Sequence, residues 1–549
     1  MPDAREGTVS VPSATITRDL PLLGRLSRTV LLELSGALIA LALATIAVAH
    51  VLSSTRVWLL FTDGDSVMLA LVHASLAAGQ SQDWATSPVL FIPELGVYLA
   101  LSAFGLGTRA TLLISAVLNF TGLYLTLRFV IEMASERMPR ADRLARILGC
   151  LLALAVVVVF VFLDSSADRN SLELVSLLAT TTYYSATILA VIVTIGLLAR
   201  LSSPDSGQRS TVIVLVTTIL VVTLSMLSNP LFAAWALVPL GGMVVGLVAL
   251  RTIGPLDGLR MLAPLVAGAL LGLILRIPFT HLIALDGSSY LRPGNGKNSL
   301  DYYGGLVAQL LATPDGTASL LLVCLLVAAN AALSLRARSL GWTPGTIICA
   351  AGWVIPVVVA VGAIALGTNA SRYLQPVFFA PILGIALLPG LRYRAATSGS
   401  RRRPSPATVI AVSIVAAMLV SVGLFRSAPL IVASAEAPDR SISCVDDWVT
   451  ASHRVGVGQF WSIRAPKASL RDPAQLIQVD DHLNGYAWLV NRADFRGVRS
   501  ASFIISSADS RPLVLPQAVS ALPTTTIACG RYTITDYEQS VLPIGTVHS

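Results

Sequence analysis

The chain has 549 residues, of which 54% are hydrophobic and only 12% charged, with 38 Lys and Arg against 30 Asp and Glu. A soluble globular protein carries about 25% charged residues, so a wholly water-exposed globule is excluded and most of the chain must face lipid or pack among helices. The net charge of +8 needs no nucleic acid to explain it, because the cytoplasmic loops of polytopic membrane proteins are basic.

The first long apolar run, 30–52, is too long for a signal-peptide core and is followed by many more. Further runs of spanning length lie at 110–132, 147–164, 183–200, 211–227, 231–250, 260–277, 318–336, 345–366, 373–390 and 407–425. With the first, they predict about eleven transmembrane helices. The stretch 89–106 is apolar enough to cross but is interrupted by Pro93, Glu94 and glycines. Arginine placement decides its role. If 89–106 crosses, the groups at 137–146, 200–209, 251–260, 336–338 and 392–403 fall on the side opposite Arg18, Arg25 and Arg28; if it does not, all share one side. The positive-inside rule favours the second. Residues 55–109 then form one outer loop holding interfacial helices at about 65–78 and 88–105.

The fold class is therefore an all-α polytopic membrane protein with a small extracytoplasmic α/β or β-rich C-terminal domain. Three parts are expected: a cytoplasmic tail over 1–29, the membrane domain over 30–425, and an outer domain over 426–549. The last has alternating runs such as Ser502–Ser506 and Arg531–Thr535 that read as strands. Cys444 and Cys529 lie in this region and are the natural disulfide pair if it is outside the cell. Cys150, Cys324 and Cys349 sit in apolar runs and read as small apolar side chains.

Polar residues gather at the outer face. Phe61-Thr62-Asp63-Gly64-Asp65-Ser66 follows the first span. Asp65, before Ser66-Val67-Met68, also suits a helix cap. Glu173 and Asp168 in the loop 164–182, and Glu94 in the second interfacial segment, are further acidic candidates, set against ordinary solvated positions. The loop 278–317, rich in Gly, Ser and Tyr from Asp286 to Tyr303, reads as a mobile lid or a connector. His73 and His281 are single histidines without metal-ligand spacing.

Three local patterns then resemble the GT-C class of integral membrane glycosyltransferases. They are Asp63-Gly64-Asp65 leading to a helix that ends at Gly79; Ser87-Pro88-Val89-Leu90-Phe91 followed by Phe104-Gly105-Leu106-Gly107-Thr108-Arg109; and Ser371-Arg372-Tyr373-Leu374-Gln375-Pro376. The class includes protein O-mannosyltransferases, aminoarabinose transferases and arabinosyltransferases. Its acidic motif is often Asp-Glu where this chain has Asp-Gly-Asp, so the choice between the two aspartates stays open.

The resemblance implies transfer of a sugar from a polyprenyl-phosphate carrier to a cell-envelope acceptor, a glycan, glycolipid or protein, at the outer face of the cell membrane. Asp63 and Asp65 would supply the base, and Arg372, with Tyr373 and Arg109, the groups for the donor phosphate. Some members use a divalent cation, and no ligand set for one is evident here. The competing readings are a transporter or flippase for a lipid-linked intermediate, and a scaffold without catalysis. A transporter places ionisable residues near the midplane, whereas here the acids cluster at one face.

Overall fold

The computed structural model describes residues 20–135, 143–203, 208–284, 291–396 and 406–549, without the side chains of 20–28, 393–396, 406–416 and 419. The arginine group 401–403, the tail 1–19 and the segment 285–290 lie outside the described residues.

Among the described residues nine helical stretches are long and apolar enough to cross a membrane, the first being Thr29–Ser53 and the last beginning at Val420 within Pro406–Glu436. Two shorter apolar helices, Ser185–Leu201 and Ala233–Ala249, fall on the two remaining expected segments. Large apolar side chains stand exposed along Gln208–Ser228, Pro255–Arg276 and Pro314–Ser339, among them Leu220, Leu270 and Leu325. Continuous apolar surface of this extent is a lipid-facing wall. The opposite faces interlock through small residues. A Cβ on Gly268 or Gly272 would meet the backbone of the neighbouring helix at 2.8 or 2.7 Å, the close approach that joins helices in lipid.

The segment 89–106 does not cross. Its helix is Ile92–Ser102, 11 residues, and the earlier one is Met68–Ala77, 10 residues. At 1.5 Å per residue both fall far short of a hydrocarbon layer about 30 Å thick. Both are shorter than the sequence suggests, because tight turns occupy 62–67 and the strand Trp84–Ala85 and an extended run fill the gap between them. The last membrane helix, Pro406–Glu436, continues past residue 425 before the outer domain begins. The loop 278–317 is neither lid nor simple connector where it is described. Gly296–Leu311 is an ordered helix that buries Tyr303, Leu306 and Leu310 beside Ala363, and Tyr303 hydrogen-bonds Thr368 at 2.9 Å.

The C-terminal domain is α/β. Its seven-stranded sheet runs in the order Gly545–His548, Asn484–Tyr486, Leu476–Val479, Gly456–Gln459, Phe503–Ser507, Tyr532–Asp536, Thr525–Cys529. Gly456–Gln459 lies parallel to both its neighbours. A parallel centre must be covered on its faces, and the crossover helix Phe460–Lys467 supplies part of that cover. Cys444, on the helix Arg440–Ser452, is bonded to Cys529 at the sheet edge, 85 residues on.

This domain is stitched to the first outer loop. Trp84 and Ala85 pair antiparallel with Asn491 and Val490. Asp83 accepts from Arg496 at 2.6 Å and Arg492 at 3.4 Å, and Asn491 donates to the Ser81 carbonyl at 2.7 Å. Arg492 also reaches the His281 carbonyl, and Arg56 the loop 166–173. All these loops therefore meet at one end of the bundle.

Replacing Cys444 and Cys529 together by Ser is expected to lower the stability of the outer domain by about 2–5 kcal/mol, measured by tryptophan fluorescence during denaturation of the full chain.

Candidate active site

The chain leaves the first membrane helix at Ser53, makes a single helical turn at Trp58–Phe61 and reaches Asp63-Gly64-Asp65. The Asp63 and Thr62 amides both donate to the Trp58 carbonyl, at 3.0 and 2.9 Å, and the Met68 amide to the Asp65 carbonyl at 3.2 Å. Asp63, and not Asp65, braces the turn: Asp63 Oδ2 accepts from the Ser66 amide and hydroxyl, each at 3.0 Å. The helix itself begins at Met68 with no side-chain cap.

Asp63 is wholly buried. Besides Ser66, its Oδ2 accepts from the Tyr183 hydroxyl at 3.1 Å, and its Oδ1 from Arg169 Nε at 3.2 Å. Burial, then the charge of Asp65, push its carboxyl above the ordinary range, while Arg169 and Ser66 pull it back. Arg169 lies flat over Trp461 of the outer domain, 3.6 Å from the ring centre, a contact in which the guanidinium is held by the ring face.

Asp65 is different. It is one-fifth exposed and lines a cavity of about 670 Å³. Its Oδ2 lies 3.5 Å from the Tyr183 hydroxyl and 3.9 Å from Arg372 Nη1. Its backbone is fixed by Thr182, which donates to its carbonyl at 2.8 Å, while Thr181 donates to that of Ser66 at 2.9 Å. Arg372 and Tyr373 line the same cavity. The far wall is apolar and comes from membrane helices: Trp235, Val238, Val359, Gly362 and Leu366. The near wall comes from the outer domain: Trp461, Tyr486 and Trp488. Phe91 and Tyr184, also in the lining, hold left-handed backbone with φ of 52° and 66°. Such strain in bulky residues collects at ligand sites.

The remaining sequence candidates stand elsewhere. Glu173 is buried against Arg56 at 3.4 Å and accepts from the Ser166 amide, which organises the loop 164–182. Asp168 is exposed and caps a turn at Asn170. Arg109 donates to the Ser434 carbonyl at 2.9 Å and packs on Phe61, tying the last membrane helix to the loop. Glu94 lines a separate cavity of about 350 Å³, where Oε1 accepts from the Ala186 amide at 3.3 Å and Oε2 has no hydrogen-bond partner among the described residues. Arg169, Tyr183, Trp461 and Arg464 carry no local signal in sequence; only their neighbours in space give them a role.

A divalent cation takes six or more oxygen ligands, or six in strict octahedral array. The acidic turn offers little of this, since the oxygens of Asp63 are engaged by donors and Arg169 and Arg372 already flank the pair. The donor set does not fit a metal. Asp480, Asp481 and His482 form a more exposed acidic group in the outer domain.

No family model matches the sequence, and no curated protein matches it. Among solved structures, the oligosaccharyltransferase AglB of Archaeoglobus fulgidus, in complex with an inhibitory peptide and a dolichol-phosphate, aligns over 85% of this chain and 69% of that one, at 10% identity and a TM-score of 0.36. At that score the likeness carries no argument, and the functional reading rests on the residues.

Burial pushes the Glu94 carboxyl up to about 7 from an ordinary 4.5. A carboxyl raised in the folded state favours folding below its unfolded value, and that advantage is lost as pH rises through the folded one. Glu94→Gln is therefore expected to be more stable relative to the native chain at pH 8 than at pH 4, with the gap opening between about 4.5 and 7. Thermal unfolding in detergent across this range measures it.

Proposed function

We propose that the chain is a GT-C-like membrane glycosyltransferase that moves a sugar from a polyprenyl-phosphate carrier to an envelope acceptor, with Asp65 as the base. The observation that supports it is the mixed lining of one cavity. An accessible carboxylate beside a guanidinium shares it with apolar side chains of membrane helices. A molecule with an isoprenoid tail, a phosphate and a sugar needs both kinds of surface.

The acceptor hydroxyl gives its proton to Asp65 as its oxygen bonds the anomeric carbon. The bond between that carbon and the phosphate oxygen breaks, and its electron pair leaves with the polyprenyl phosphate. Arg372 faces the charge that develops there, and its fork suits phosphate oxygens. Asp63 does not touch substrate in this scheme. It holds the turn, and its own charge is matched by Arg169, Ser66 and Tyr183. In the sequence the acids fall between spans on one side and the arginine groups between spans on the other, which by the positive-inside rule supports a site facing outward.

Purified protein in lipid nanodiscs, supplied with polyprenyl-phosphate-sugar and acceptor membranes, tests the reading by release of polyprenyl phosphate. Asp65→Asn is expected to lower turnover by about 10²–10⁴-fold, the range for a positioned base. Full turnover in that variant refutes the assignment. Arg372→Ala is expected to raise KM for the donor about 10-fold or more, the worth of a hydrogen bond to a charged group. In Gly362→Trp the indole fills the apolar part of the cavity, so donor KM should rise while a short-chain donor analogue is less affected.

A further inference from the structure

The acidic turn is gripped from the outer domain. Arg464, on the helix Phe460–Lys467, is completely buried. Its Nε donates to the Gly64 carbonyl at 2.7 Å, between the two aspartates. Its Nη2 lies 3.1 Å from the Met68 sulfur, at the start of the interfacial helix. Its Nη1 donates to the Leu489 carbonyl and lies 3.4 Å from that of Trp488. One side chain thus joins the turn carrying Asp65 to the segment carrying Trp488 and Leu489 in the cavity wall. No carboxylate stands within salt-bridge distance of Arg464 among the described residues, so its charge is met by carbonyls and, at longer range, by Asp65 and Asp63.

A buried cation held by carbonyls of another chain segment is a poor device for stability alone. A well-packed apolar side chain usually serves as well or better. Its distinctive property is geometric, since a rigid planar fork fixes several acceptors at once. Gly64 gives a second, independent sign of the same grip. A Cβ there would lie 2.8 Å from the Phe460 ring and 3.1 Å from that of Trp461, both on the same helix. Gly64 has no left-handed φ among the described residues, so its requirement is space and not backbone freedom. The outer domain presses so closely on the acidic turn that only glycine fits between them.

We infer that the C-terminal domain is a working part of the active site, with Arg464 as the positioning residue that sets the Asp63-Gly64-Asp65 turn against the aromatic wall. This rests on the reading of Asp65 as base. The turn takes its working geometry only when the domain is docked, and a membrane part without the domain has the carboxylates without their placement. Arg464 itself touches no substrate; it acts through the backbone of Gly64.

The test uses the full chain in lipid nanodiscs, in a background of Ala85→Cys with Val490→Cys. These positions are directly opposed in the strand pair that joins loop and domain, within reach of a disulfide, so the domain stays docked in every variant. Hydrogen exchange is followed by mass spectrometry for Arg464→Met, Arg464→Lys and Gly64→Ala. The amides of Ser66, Val67 and Met68 report on the turn, because each is bonded within it. Arg464→Met and Gly64→Ala are each expected to speed exchange over 61–68 by about tenfold or more, with 476–479 and 503–507 unchanged. Arg464→Lys keeps the charge without the fork and should fall between Arg464→Met and the native chain. In the turnover assay the same variants should lose kcat while donor KM stays within about twofold. Unchanged exchange over 61–68 overturns the proposal, and so does a parallel rise in the sheet, which would make Arg464 a folding residue of its domain. The expected exchange pattern in a chain without any transferase activity would refute the proposed reaction and leave the positioning role standing.

Discussion

A carboxylate taken fully out of water must find donors, because the effective penalty for burying an ion is several kcal/mol. Asp63 finds them from three places in the chain: Ser66 in its own turn, Arg169 in the next outer loop, and Tyr183 at the head of a membrane helix. Satisfying that one group brings the first two outer loops together above the bundle. This convergence places Asp65 and Tyr183 at the main cavity. Arg169, once drawn in, lies on Trp461 and so reaches the outer domain as well.

The two aspartates divide the work through exposure. Engaged by donors and buried, Asp63 holds the turn, and Asp65, two residues on, has longer contacts and an opening to the cavity. The glycine between them is what allows the outer domain to approach. A cavity then exists whose walls come from the interfacial segment, the membrane helices and the C-terminal sheet domain. Neither the membrane part nor the outer domain alone encloses it.

Much of the frame is legible in the residues. Apolar run lengths gave the membrane helices, and arginine placement kept 89–106 out of the membrane, where the observed helix is too short to cross. The acidic pair, Arg372 and Tyr373 were all visible as polar residues beside apolar runs, and Asp65, Arg372 and Tyr373 share one cavity while Asp63 is buried outside its lining. Other readings failed for identifiable reasons. Asp65 looked like the helix cap because Ser66-Val67-Met68 follows it, yet the helix begins later and Asp63 reaches the Ser66 amide. The stretch 296–311 looked loose because of its glycines and serines, but its Tyr303, Leu306 and Leu310 stripe finds an apolar partner and makes a helix. Glu173 and Arg109 do not line the main cavity: Glu173 pairs with Arg56, and Arg109 donates to the Ser434 carbonyl.

The sequence by itself determined which segments are lipid-facing, where the acids lie relative to them, and that a sheet domain follows the last helix. These follow from local quantities: run length, charge and alternation. The tertiary structure alone decided which carboxylate is accessible, and that Arg169, Tyr183, Trp461 and Arg464 belong to the same site. Burial and hydrogen-bond partners are properties of contacts between residues as distant in sequence as Gly64 and Arg464, 400 positions apart, and no local pattern encodes which distant donor will meet a given acceptor.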